Sequence, residues 1–290
     1  MTVFLNGKFL PAGEARVSAL DRGFIFGDGV YELVPVYSRV PFRLKEHLAR
    51  LERSLAEVAI RNPHSREQWR DIIFKLIDAQ SFDDQGVYFQ VTRGVAKRDH
   101  AFPKAAEPTV FMMSNPLVAP PAAQVEAGGA AVSAQDNRWL RCDIKSISLL
   151  GNVLLRQVSA EAGAAETILV RDGRLTEASS SNVFIVRGGV IQSPPKSNLI
   201  LPGITYDVVL ELARDNQVPL ELADIGEKDV RSADEIWVTS SSKEVFPIVS
   251  LDGARVGDGR PGPVFRRMHR LYQEFKQKVM RAGKREAVSV

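Results

Sequence analysis

The stretch Asn115–Gln124, "NPLVAPPAAQ", carries three prolines and follows neither the helical nor the strand period. Proline fixes φ, removes a backbone donor and pushes the residue before it out of the helical region, so no regular element runs across such a segment. It therefore divides the chain of 290 residues, in keeping with domains of roughly 100–200 residues. The expected organisation is a small N-terminal domain over residues 1–115, a connection over 116–124 and a larger C-terminal domain over 125–290.

Hydrophobic periodicity fills in both halves. In the first, "VFLNGKFL" has an Asn-Gly turn between apolar flanks, which predicts a hairpin. Leu44, Leu48, Leu51, Leu55 and Val58 make one stripe of a helix expected over about 44–60. Ser65 and Gln68 form a Ser-x-x-Gln capping box that opens a second helix, "SREQWRDIIFKLIDAQ". "GVYFQVTRG" and "PTVFMMS" read as strands. Beyond the connection come a strand at 130–135, a helix after Lys145 that reads as mostly buried, and "ETILVRDGRLTE" broken by an Asp-Gly turn. The hairpin "NVFIVRGGVIQ", the helix "ITYDVVLELARDN" and the strand "EIWVTSS" follow. No repeat of 20–50 residues recurs, so a solenoid is excluded and two mixed α/β domains (α+β in part) are expected.

Composition narrows the class. Apolar residues at 44% and charged ones at 25% suit a well-cored soluble protein rather than a disordered one. The start, "MTVFLNGKFLPAG", lacks the order of a secretory signal and no run reaches membrane length, so a cytoplasmic location without a membrane partner is the expectation. The single cysteine, Cys142, agrees with a reducing compartment and reads as a small packed apolar residue. His47, His64, His100 and His269 lack metal-ligand spacing, so no metal site is expected. The formal charge of +3 hides an asymmetry: residues 264–286 alone carry a net +6 and the remainder −3. Because Val264, Met268, Leu271, Phe275 and Val279 keep helical spacing there, this is a docked helix with a solvated basic face rather than a nucleic-acid surface.

The chemistry-bearing residues exclude several standard sites: there is no G-x-G-x-x-G, no G-x-x-x-x-G-K-[ST] and no G-x-S-x-G. Lys145, set before an apolar helix, poses the main question, since an ammonium kept from water needs an anion or a chemical use. A phosphorylated aldehyde cofactor gives it one, because an amine forms a Schiff base with an aldehyde. Other pieces suit the same cofactor. Glu177 in "RLTEASSSN" sits where it can hold a proton on a heterocyclic nitrogen. "LPGIT" places Pro202 and Gly203 before a helix, exposing the amides of Ile204 and Thr205 to an anion. Arg50 and the hydroxyls of "TSSSK", residues 239–243, complete a phosphate cradle. Each piece alone has an ordinary structural reading as surface lysine, solvated glutamate, loop serine or helix punctuation, and only their order along the chain raises them above it.

That order resembles a known family. "FGDGVYE" at 26–32, "HLARL" at 47–51, "IKSISLLGNVLLRQ" at 144–157, "LTEASSSNVF" at 175–184 and "LPGIT" at 201–205 resemble the class IV aminotransferases. These are pyridoxal-phosphate enzymes of the D-amino-acid and branched-chain aminotransferase fold. The resemblance implies the two-domain fold-type IV architecture with pyridoxal 5'-phosphate between the domains. It places the Schiff-base lysine at Lys145, the acid facing the pyridine nitrogen at Glu177 and the phosphate arginine at Arg50. Ile204, Thr205, Ser240 and Ser241 fall on further phosphate ligands, Ser241 standing where a threonine is common, and Leu201 on the side chain against the ring.

"VAKRDHAFP" offers Arg98 and His100 one residue apart, a spacing that in extended chain aims both side chains the same way. With Tyr31 of "GVYE", the pair resembles the carboxylate trap of the D-amino-acid (D-alanine) aminotransferases, in which the arginine and histidine come from the neighbouring subunit of a homodimer. The resemblance thus implies ping-pong transfer of an amino group from a D-amino acid to a 2-oxo acid, 2-oxoglutarate or pyruvate. Branched-chain L-amino-acid aminotransferases usually read Phe-Glu-Gly-apolar-Arg where this chain reads "YELVPVY", and aminodeoxychorismate lyases lack the Arg-x-His pair. Both remain as alternatives, and so does a cofactor-free or nucleic-acid-binding protein of the same fold.

Overall fold

The computed structural model describes residues 1–290, and its contacts divide them into two units. The first holds Met1–Val118, Ile144–Leu149 and Val279–Val290; the second holds Ala119–Asp143 and Leu150–Lys278. The division departs from chain order in two places. The hexapeptide carrying Lys145 is bonded into the first unit: Val30 bridges Ser146, and the Tyr31 and Ile147 amides donate to the Lys145 and Gly29 carbonyls at 2.9 and 3.1 Å. The C-terminal tail also belongs there, through ion pairs from Arg281 to Asp84 and Arg285 to Asp78. Within the connection, a short helix begins at Ala122, before the expected end at 124.

In the first unit, β1 (Thr2–Leu5), β2 (Lys8–Pro11), β3 (Gly29–Tyr37), β4 (Val40–Pro41), β5 (Gln85–Thr92) and β6 (Thr109–Pro116) form an antiparallel sheet ordered β2-β1-β6-β5-β3-β4. The expected hairpin turns at Asn6 and Gly7, φ 46° and 90°, the left-handed pair that a two-residue loop requires. Helix α1 (Arg22–Phe26) is short, α2 (Leu44–Glu57) ends three residues before the expected boundary, and α3 (Arg66–Asp78) starts on the Ser65–Gln68 capping box. The buried residues of α2 form two stripes. Leu44, Leu48, Leu51 and Leu55 enter the core with Val30, Val34, Val87, Phe89 and Val91 of the sheet. His47, Arg50 and Ser54, also buried, make a polar stripe beside it.

The second unit contains α4 (Ala122–Ala127), β7 (Gly129–Gln135), α5 (Leu150–Glu161), β8 (Glu166–Arg171), β9 (Arg174–Ala178), β10 (Asn182–Arg187) and β11 (Val190–Ser193). Then come α6 (Ile204–Asp215), β12 (Leu220–Leu222), α7 (Glu227–Arg231), β13 (Glu235–Ser240), β14 (Glu244–Leu251), β15 (Ala254–Arg255) and α8 (Pro263–Phe275). The strands make a mixed sheet ordered β12-β11-β10-β13-β14-β7-β8-β9, with β15 on β14. Stacked Phe184 and Trp237, with Tyr206 of α6 and Phe265 of α8, fill its core.

Three sequence expectations change here. The helix after Lys145 is not mostly buried: Leu155 and Ser159 are, while Leu150, Val153, Leu154 and Val158 are 71, 60, 59 and 41% exposed. On α8 the buried stripe is Phe265, Met268 and Tyr272, one position beyond the expected Val264 and Leu271, and Val279 is exposed. One cation on the basic segment, Lys276, is buried against Glu244 instead of solvated. No helix is long and apolar enough to cross a membrane.

Candidate active site

Lys145 and the polar stripe of α2 are gathered by the motif "FGDGVYE". Gly27 ends α1 in the left-handed region at φ 66°, and a Cβ there would lie 2.7 Å from the Ser148 hydroxyl oxygen, so glycine lets 144–149 lie alongside the motif. The Lys145 amide donates to the Ser54 hydroxyl at 3.3 Å. Its half-buried side chain places Nζ 4.2 Å from the centre of the Tyr31 ring and makes no ion pair. The ring face attracts the cation, yet no anion is supplied for it.

The carboxylate in this unit goes elsewhere. Glu32, fully buried, accepts from Arg50 Nε and Nη2 at 2.7 and 2.8 Å and pairs with His47 Nδ1 at 2.8 Å. Burial acts to raise the Glu32 pKa, but the charge and hydrogen bonds of Arg50, with those of His47, hold it well below the usual carboxylate range. Arg50 is therefore locked in orientation, a bidentate guanidinium fixed on a buried anion. Burial lowers the His47 pKa, against Glu32 and with help from Arg50 and Lys145. Sequence reading missed both other members of this cluster: Glu32, the partner of Arg50, lies inside a quoted motif, and His47, which also binds Glu32, stands one helical turn before Arg50, but neither carries a pattern of its own.

Arg98 and His100 are exposed on the loop after β5. Both meet one ring: the Arg98 guanidinium carbon lies 5.3 Å from the Phe26 centroid and the His100 ring 5.5 Å from it. The expected common direction of the two side chains is thus present, at Phe26. Tyr31 contacts Tyr88 and Lys145 instead.

The second unit, by itself, contains a buried acid and a candidate anion cradle. Glu177, at the inner end of β9 and 5% exposed, is held on both oxygens. Arg138 Nη1 donates to Oε1 at 2.5 Å, while the Leu201 amide and Asn182 Nδ2 donate to Oε2 at 3.1 and 3.3 Å. Burial nonetheless pushes the Glu177 pKa up to about 7, against the pull of Arg138. Arg138 is itself fixed by Asp136 at 2.9 Å, whose pKa lies at about 2: burial raises it, and the Arg138 bonds and charge overcome that. Thr176 donates to the same aspartate at 2.8 Å. Arg138 and Asp136 were missed by sequence reading, although "QDNR" does place an acid and a base on one side of an extended segment.

Asn182 Nδ2 also donates to the Leu201 carbonyl at 2.9 Å, tying the loop before α6 to Glu177. At Gly203 a Cβ would stand 2.3 Å from the Asn182 Oδ1, so only glycine lets α6 begin there. No side chain caps that helix start, and the first-turn amides of Ile204 and Thr205 are left as donors for an anion. Ser240 and Ser241 sit half-buried at the β13–β14 turn, where Ser240 Oγ accepts from the Lys243 amide at 3.0 Å. That turn has an anchor of its own. Glu166, fully buried, accepts from Lys243 Nζ at 2.5 Å and from the hydroxyls of Ser179, Ser180 and Ser181. Cys142 is buried, burial pushing its pKa up to about 11, so it is an inert thiol.

The first unit thus offers a lysine without an anion, and the second, taken by itself, a buried carboxyl tuned near neutrality and a set of phosphate-type donors. Comparison with known proteins identifies the family. The family described as Amino-transferase class IV matches residues 29–251. A D-alanine aminotransferase of Bacillus licheniformis is 41% identical over 94% of this chain and 96% of its own length. Another from Staphylococcus aureus (strain MW2) is 39% identical over 94 and 97%. Among solved structures, a T.th. branched-chain amino acid aminotransferase with pyridoxamine 5'-phosphate superposes with a TM-score of 0.89 at 25% identity, covering 94% of this chain and 93% of that one. The fold IV-transaminase CpuTA1 from Curtobacterium pusillum, at 22% identity, shares the fold, with a TM-score of 0.79 over 96 and 94%. The chain belongs to the class IV aminotransferases.

Proposed function

We propose that this aminotransferase uses pyridoxal 5'-phosphate to move the amino group of a D-amino acid to a 2-oxo acid. The observation that carries the reading is the setting of Glu177: a buried carboxyl near pKa 7, held on both oxygens, is matched to share a proton with a pyridine nitrogen. The donor class rests on the D-alanine aminotransferases, which match nearly the full chain at 38–41% identity. The structural likeness to branched-chain enzymes rests on 25% identity and concerns the scaffold.

When bound, pyridoxal phosphate supplies an aldehyde carbon that takes up the amino group and a ring that draws electrons from the substrate Cα. Lys145 would hold that aldehyde through Nζ, and the same amine would serve as the group that takes and returns the proton of the substrate Cα. Glu177, oriented by Arg138, would hold the proton on the ring nitrogen. Arg50, the Ile204 and Thr205 amides and the Ser240 and Ser241 hydroxyls take the phosphate, while Leu201 packs on the ring. Tyr31 fixes the substrate carboxylate together with Arg98 and His100 of a neighbouring copy. The exposed apolar stripe Leu150, Val153, Leu154 and Val158 supports a homodimer, since solvent is a poor partner for four such side chains on one helix face. A cytoplasmic location fits the lone, buried and unpaired Cys142.

Assaying paired D- and L-enantiomers of alanine and leucine with 2-oxoglutarate and with pyruvate tests this reading. Turnover of D-alanine well above either L-enantiomer is expected; preferential turnover of L-leucine overturns the donor assignment in favour of the branched-chain alternative.

A further inference from the structure

The Arg98 and His100 side chains are exposed and make no hydrogen bond or ion pair of their own, yet a carboxylate trap works only if its donors wait in a fixed place. What fixes them is visible one layer down. Arg22 is 3% exposed, and its Nε donates to Asp28 at 2.7 Å. Its remaining donors face three successive carbonyls of the trap loop: Asp99 at 2.5 Å, His100 at 3.5 Å and Ala101 at 3.4 Å. The same guanidinium lies 4.8 Å from the Phe26 centroid, so the ring that receives Arg98 and His100 rests on Arg22. Asp28 also binds Arg93, at 2.7 and 3.0 Å, and Arg93 carries Phe102 on its guanidinium at 3.7 Å.

We propose that Arg22 and Phe26 are positioning residues for the substrate-carboxylate trap, Arg22 gripping the backbone of the Arg98–His100 loop and Phe26 presenting both side chains from one face. The inference rests on the reading of Arg98 and His100 as that trap. The grip needs arginine: a planar fork reaches an aspartate and several carbonyls at once, whereas lysine is a single point donor. The face needs an aromatic ring, because a cation is attracted to its π-surface and an imidazole packs on it. Neither Arg22 nor Phe26 has to touch substrate.

The test uses the purified holoenzyme with D-alanine as the probe and compares Arg22→Lys, Phe26→Leu and Phe26→Tyr, alone and in an Arg98→Ala/His100→Ala background. Arg22→Lys and Phe26→Leu are expected to raise KM for D-alanine about tenfold or more with kcat within about twofold and the visible cofactor band intact. Phe26→Tyr, which keeps the ring face, retains the wild-type KM. In the background lacking both trap side chains, Arg22→Lys and Phe26→Leu add nothing further, the non-additivity expected of groups acting through one another. Should Arg22→Lys lose the fold, Phe26→Leu, at a half-exposed position, decides alone. A wild-type KM in Phe26→Leu beside a raised KM in the trap double variant overturns the positioning role, and so does an equal KM increase in both backgrounds. A wild-type KM in the trap double variant overturns the trap reading itself, and this inference with it.

Discussion

Replacing Glu177 by glutamine in the apoenzyme separates the cost of a buried carboxylate from its catalytic use. The native pKa is about 7 where an ordinary glutamate has 4.5. A raised folded-state value contributes stability that is complete below the unfolded pKa and disappears as pH climbs through the folded one. Between pH 5 and pH 8 the wild-type apoenzyme therefore loses about 2–3 kcal/mol through this group, the worth of roughly two pKa units. Glutamine does not titrate and keeps an oxygen for Arg138, so whatever offset the substitution brings is constant with pH. The difference in unfolding free energy, variant minus wild type, should thus rise by about 2–3 kcal/mol from pH 5 to pH 8. Urea unfolding of cofactor-free protein at one fixed chain concentration measures it, and the fixed concentration removes the contribution of subunit association. A flat difference across that range refutes the reasoning. It would mean that Arg138 keeps Glu177 ionised throughout, and the match between carboxyl and pyridine nitrogen would lose its basis.

Three other outcomes follow from the same structure. Lys145→Ala should abolish the visible cofactor band of the purified protein while leaving circular dichroism unchanged; a retained band removes Lys145 as the attachment point. Lys243→Met leaves the fully buried Glu166 without its cation and should destabilise the apoenzyme by about 3–5 kcal/mol, read by urea unfolding, while Lys243→Met/Glu166→Gln recovers much of the loss. Val153→Asp/Leu154→Asp, two charges on the exposed apolar face of α5, should shift the protein toward monomer in sedimentation velocity and raise KM for D-alanine along with it; a variant that sediments like wild type removes α5 from the interface.

What could be read from the sequence divides along physical lines. Lys145, Glu177 and "LPGIT" stood out in the sequence because the chemistry proposed for them demands particular residue types in a particular order. The hairpin at Asn6–Gly7 and the capping box at Ser65–Gln68 were legible because turns and caps are settled within four residues. The supporting ion pairs were not: Arg138 is 39 positions from Glu177, Glu166 is 77 from Lys243, and Lys276 is 32 from Glu244. Only the sheet connections bring those charges together, and a charge by itself reads as solvated. Apolar periodicity has the opposite defect. It marked the residues of α5 as buried although four of them are exposed, because hydrophobicity alone does not say whether a side chain is covered within its own chain.

Every residue proposed to touch cofactor or substrate through an ionic group depends on a charge that sequence pattern could not assign: Arg50 on Glu32, Glu177 on Arg138, the Ser240–Ser241 turn on Lys243 and Glu166, the Arg98–His100 loop on Arg22 and Asp28. Each pair is wholly or largely buried, so removing one member strands the other in a low-dielectric surrounding. Lys145 is the exception, held by an aromatic face and a backbone bond with no counter-ion. On the proposed mechanism Lys145 would have to react as an amine, and a tight ion pair with a carboxylate would oppose that by holding the proton on Nζ. The ion pairs therefore fix the groups proposed to bind or orient, and leave without a counter-ion the nitrogen proposed to react.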